Sequence, residues 1–101
     1  LQQHLRFIID GLKSMTSLTS CNFVDNVIGQ EGWTCLFAAL NNCKSLIQIN
    51  NYDWVEGLLS GVTTKLELQS VDMDIAAVLG WLLPQVTSTL RHMDLGSSLT
   101  E

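Results

Sequence analysis

Four stretches of the chain place apolar side chains at i, i+3, i+4 and i+7, the stripe of an amphipathic helix. They are Leu5, Ile8, Ile9 and Leu12; Trp33, Leu36, Phe37 and Leu40; the weaker Val55, Leu58, Leu59 and Val62; and Ile75, Val78, Leu79 and Leu82. Asp74 is placed to cap the fourth helix and Pro84 to end it, while Asn41 and Asn42 end the second. Between the helices lie short alternating stretches that read as strands. They centre on Cys21 and Phe23, on Ile49 and Asn51, on Leu66 and Leu68, and on Met93 and Leu95. Cys21 to Ile49 is 28 residues, Ile49 to Leu66 is 17, and Leu66 to Met93 is 27. Gly57 and Gly61 fall in the short middle interval and weaken its helix by about 1 kcal/mol each relative to alanine. An irregular, clipped segment is expected there.

The alternation implies a strand, a turn and a helix in each unit, no unit burying its own stripe alone. The best unit runs Leu18, Cys21, Phe23, Asn26 and Ile28, followed by Gly29, Glu31 and Gly32. It resembles the ribonuclease-inhibitor-like leucine-rich repeat, closely over residues 18–49 and loosely elsewhere. The resemblance implies an α/β solenoid of about three and a half units, starting near 18, 46, 63 and 90. A parallel sheet would line its concave face and helices its convex face. Residues 1–101 would form one such domain or fragment, part of a longer chain. Leu18, Cys21, Phe23, Ile28, Leu66 and Leu68 become structural positions, and Asn26 bonds turn backbone groups that no strand reaches. Trp54, Val71 and Ser98 stand where the other units would carry that asparagine. The repeat subtype occurs in NLR immune receptors, ribonuclease inhibitor, Ran GTPase-activating proteins and scaffold subunits.

Composition changes this picture little. Charged residues are 15% of 101, below the roughly 25% usual for a free-standing domain, which fits a slice of a longer stack. The net charge of −5 comes with no basic cluster, so neither a nucleic acid nor a membrane surface is an expected partner. No signal peptide is visible, and the longest uncharged run, Ile75 to Leu90, is too short and polar to span a bilayer. Cys21, Cys35 and Cys43 lack C-x-x-C spacing and read as reduced, small core residues.

Alternate strand residues should leave the concave face: Ser20, Asn22 and Val24; Gln48, Asn50 and Tyr52; Lys65, Glu67 and Gln69; His92, Asp94 and Gly96. This mostly polar column is the candidate partner-binding surface, with Tyr52, Glu67 and Asp94 at its centre. Trp33 is assigned to packing, Trp81 lies off its helix stripe, and Trp54 is expected to fill space beside the clipped helix. A His92–Asp94 pair could orient a general base, but no nucleophile, phosphate loop or metal-ligand spacing accompanies it. No catalysis, cofactor, metal or small-molecule substrate is therefore expected. The leading expectation is a cytoplasmic protein–protein interaction module, such as the sensing or autoinhibitory repeats of an NLR-like receptor, contacting another protein or a neighbouring domain. The alternatives are a scaffold subunit of a large complex, or an enzyme regulator: an inhibitor, or a GTPase activator acting through Arg91.

Overall fold

A computed structural model describes residues 3–96. The chain divides into two compact units, Leu1–Asn51 and Tyr52–Glu101. Each contains a parallel pair of short strands joined through a helix.

Unit 1 runs α1 (Gln3–Leu12), β1 (Ser20–Cys21), α2 (Gly29–Leu40) and β2 (Gln48–Ile49). Ser20 lies opposite Gln48 and Cys21 opposite Ile49, in parallel. α1 buries Leu5, Ile9 and Leu12, one residue per turn on one face. α2 buries Gly32, Trp33, Leu36, Ala39 and Leu40. Gly32 is what lets the two helices meet: a Cβ there would lie 2.8 Å from Ile28 Cγ2 and 3.0 Å from Leu5 Cδ2. Trp33 is 2% exposed. It packs edge-on to Phe23 at 6.0 Å and stacks on Phe37 at 5.3 Å.

Unit 2 runs α3 (Trp54–Leu59), β3 (Lys65–Glu67), α4 (Met73–Leu82) and β4 (His92–Asp94). Lys65, Leu66 and Glu67 lie opposite His92, Met93 and Asp94, again in parallel. Val55, Leu58, Leu66, Val78, Leu79, Leu82 and Val86 form its core. Pro84 sits in a 3-10 turn, Leu83–Gln85, that continues α4 before the chain turns toward β4. Tyr52 and Trp54 stack at 5.3 Å beside the short α3.

Three expectations need correction. The fold is not a leucine-rich-repeat solenoid: among the described residues the four strands form two separate two-stranded sheets, not one continuous sheet. The physical cause lies at the end of β2. Asn50 adopts a left-handed conformation, φ 54°, and residues 50–51 form a turn, so the chain leaves the strand direction after two paired residues. The third helix is six residues long and ends at Leu59, leaving Val62 81% exposed rather than on its stripe. The cap of α4 is Asp72, not Asp74: its Oδ1 accepts from the Ile75 N–H at 2.9 Å. Ser98 lies outside the described residues.

Candidate functional site

Unit 2 carries the ordered polar surface. β3 alternates in the way a half-buried sheet requires, with Lys65 and Glu67 exposed on either side of buried Leu66. The register sets His92 beside Lys65 and Asp94 beside Glu67. The same face therefore holds a basic row and an acidic row. Glu67 accepts an ion pair from Lys65 at 3.0 Å, along its own strand. Asp94 Oδ1 accepts from the Gly96 N–H at 2.9 Å. Gln69 is also exposed. Two carboxylates directly opposite on neighbouring strands repel, so this row gains when a cation comes between them.

Charge separates the two units. Unit 1 balances Arg6, Lys13 and Lys44 against Asp10, Asp25 and Glu31. Unit 2 sets Lys65 and Arg91 against Asp53, Glu56, Glu67, Asp72, Asp74, Asp94 and Glu101, so the whole net charge of −5 belongs to it.

Unit 1 distributes the expected partner-binding residues differently. Asn22 is exposed and its Oδ1 accepts from the Val24 N–H at 2.9 Å. Gln48 is half-buried. Asn50 does not face solvent: it is 5% exposed, and its Oδ1 accepts from the Phe23 N–H at 2.8 Å. It is a clamp between β2 and the end of β1, not a contact residue. Asn26 Nδ2 donates to the carbonyls of Phe23 at 3.1 Å and Val24 at 3.3 Å, closing the turn before α2. Of the assigned structural positions Leu66 is buried, whereas Leu18, Cys21, Phe23, Ile28 and Leu68 are half-buried. Tyr52 falls in unit 2 and is half-buried on its stack with Trp54.

A feature absent from the sequence reading is an open groove of about 340 Å³ in unit 1. It is lined by His4, Leu5, Ile8, Phe23, Asn26, Val27 and Ile28. Val27 is 99% exposed and Ile8 is half exposed. The signal that could have found it is Val27, an apolar residue directly after the turn asparagine with no role in a buried stripe.

The catalytic possibility gains no geometry. No hydrogen bond joins His92 to Asp94 among the described residues, and both are exposed. Arg91 is exposed, with its backbone N–H donating to the Thr64 carbonyl at 2.8 Å. All three cysteines are unpaired thiols. Burial, with Cys43 nearby, pushes the Cys21 thiol up to about 11, the direction of a poor nucleophile near neutral pH. Among the described residues no group of three or more His, Cys, Asp or Glu side chains could hold a metal ion. Nor is any described helix long and apolar enough to cross a membrane. Comparison with protein-family models, with characterised proteins and with solved structures finds no match for this chain.

Proposed function

We propose that the chain is a protein-recognition module whose unit 2 sheet face receives a cationic segment of a partner protein, or of a neighbouring domain of its own chain. The observation that supports this reading is the placement of Glu67 directly beside Asp94 on an exposed face of the unit that carries the net negative charge. A guanidinium between the two carboxylates relieves their repulsion and makes paired, charge-assisted hydrogen bonds. Such a contact steers association and fixes orientation more than it adds raw affinity, and salt weakens it. A reducing, cytoplasmic setting belongs to the same proposal and suits three unpaired thiols. The test is a fluorescence-anisotropy titration with an arginine-rich peptide and a glutamate-rich peptide of equal length. The arginine-rich peptide should bind, and Glu67→Gln with Asp94→Asn should weaken it about tenfold, as loss of roughly 1.4 kcal/mol does. Equal binding of both peptides, or an unaffected double variant, rules the reading out.

A second reading, a structural subunit packed inside a larger assembly, is favoured by the unit 1 groove and by exposed Phe7, Ile8 and Val27. Stoichiometric co-purification that is lost in Val27→Asp but kept in the Glu67/Asp94 variant would select it. The receptor-like sensing and enzyme-regulator roles rest on the sequence resemblance alone.

A further inference from the structure

We infer that β4 is a self-complementary edge, through which two copies of this chain pair antiparallel about Met93. This does not rest on the proposed cationic partner, although Asp94 serves both: its carboxylate meets a guanidinium in that proposal and His92 of the second copy in this one.

The first observation is the backbone. The His92 N–H donates to the Thr64 carbonyl at 3.2 Å, and the Asp94 carbonyl accepts from the Leu68 N–H at 2.8 Å. Both residues therefore turn their backbone groups toward β3. In an extended strand successive residues point these groups to opposite edges, so Met93 directs its N–H and C=O to the outer edge. Among the described residues no strand pairs there. An uncovered edge of this kind is a template for another strand.

The second observation is exposure. All three residues of β4 are exposed, and Met93 is 45% exposed although its register partner Leu66 is buried. The apolar side of β4 is thus left partly uncovered.

The third observation is the order of side chains, and it selects the occupant. Antiparallel pairing centred on Met93 makes the two Met93 residues a hydrogen-bonded pair that exchanges both N–H···O=C bonds. It sets His92 opposite Asp94 of the second copy, and Asp94 opposite that copy's His92. These are non-hydrogen-bonded positions, where side chains approach most closely. With the register inside each unit, the four-strand rows read Lys65, His92, Asp94, Glu67 across the junction, and the reverse in the next row. Each row meets basic to acidic at the centre. The two Met93 side chains come together on the opposite face. Repulsion between two acidic units opposes the pairing, but at physiological salt it is screened beyond about 8 Å, while the central pairs lie well inside that distance. Three residues per strand make a small contact, so the dimer is weak and concentration-dependent.

The test is sedimentation velocity on the chain over a wide concentration range. The unaltered chain should show a dimer fraction that rises with concentration. His92→Asp alone sets like charges opposite one another and should abolish it, as should Asp94→His alone. An equimolar mixture of these two variants restores both pairs and should recover association as a heterodimer. The double variant His92→Asp with Asp94→His should recover it within one chain. Both side chains are exposed, and unchanged far-UV dichroism checks that each variant folds. A monomeric unaltered chain, single variants that still associate, or a mixture that does not recover would each overturn the inference. The arginine-rich peptide should still bind His92→Asp, so failure here and failure of the proposed function are separable.

Discussion

The two units solve one problem with different atoms. In each, a donor just past the paired stretch of the first strand needs an acceptor from the second. In unit 2 the Leu68 N–H finds the backbone carbonyl of Asp94 at 2.8 Å. In unit 1 the Phe23 N–H at the matching position finds the side-chain Oδ1 of Asn50, also at 2.8 Å. Left-handed Asn50 no longer presents its carbonyl along the ladder, so its amide takes over. The turns that follow differ in the same manner. Asn26 closes the first by donating to two carbonyls, and α2 has no side-chain cap. Unit 2 has Val71 at the corresponding place and caps α4 with Asp72 instead. A similar strand–helix–strand geometry thus tolerates very different local sequences, provided that each backbone group finds some partner.

The largest effects should be alike in both units. Leu36 in unit 1 and Leu82 in unit 2 are fully enclosed. Truncating either to alanine should cost about 2–5 kcal/mol, measured by urea denaturation. A loss under about 1 kcal/mol at one site would show that its unit has no close-packed core.

The next pair should break the symmetry. Asn50→Ala leaves the Phe23 N–H without its acceptor and replaces asparagine, which tolerates φ 54°, by a residue that does so less readily, so it should cost about 1–3 kcal/mol. Asp94→Ala should cost less, under about 1 kcal/mol, because it loses only an exposed bond from the Gly96 N–H while the backbone carbonyl still serves Leu68. Equal costs would refute the substitution of side chain for carbonyl. The turn devices come third. Asp72→Ala should cost about 1 kcal/mol through lost capping of α4. Asn26→Ala should cost a similar amount through the turn carbonyls, and amide exchange should rise near each site alone.

How much of this the sequence carried depends on what each feature needs. The first, second and fourth helices and the 28- and 27-residue strand spacings were legible, because periodicity reports burial directly, whereas the third stripe overran its helix at Val62. The sheet that would have joined all four strands was not. Spacing says where strands lie, but not whether consecutive ones pair; after β2 the chain turns at left-handed Asn50 instead of extending the strand. Asn50 illustrates the loss: in a period-2 pattern a polar residue reads as facing out, yet a turned backbone carries it inward. Ile8 fits the α1 stripe by spacing, and only the packing of α1 beside the β1–α2 turn leaves it lining an open groove. The acidic row was legible residue by residue; its pairing of Glu67 with Asp94 needed the register.

The smallest stability effects separate the units again through function. Each unit has an exposed ion pair: Lys13–Asp10 at 3.4 Å in unit 1 and Lys65–Glu67 at 3.0 Å in unit 2. Replacing either lysine by glutamine should move the unfolding midpoint by less than about 0.5 kcal/mol, because solvent screens both pairs. Binding should respond to one of them only. Lys65 occupies Glu67 along the strand and so competes with an incoming cation for that carboxylate. Lys65→Gln removes the competitor and makes the face more acidic, and should therefore tighten the arginine-rich peptide. Lys13→Gln changes charge by the same amount in the unit without the acidic row, and should leave that affinity nearly unchanged. If both variants tighten binding equally, the peptide is reading the net charge of the whole chain, and the carboxylate row of unit 2 has no special part in recognition.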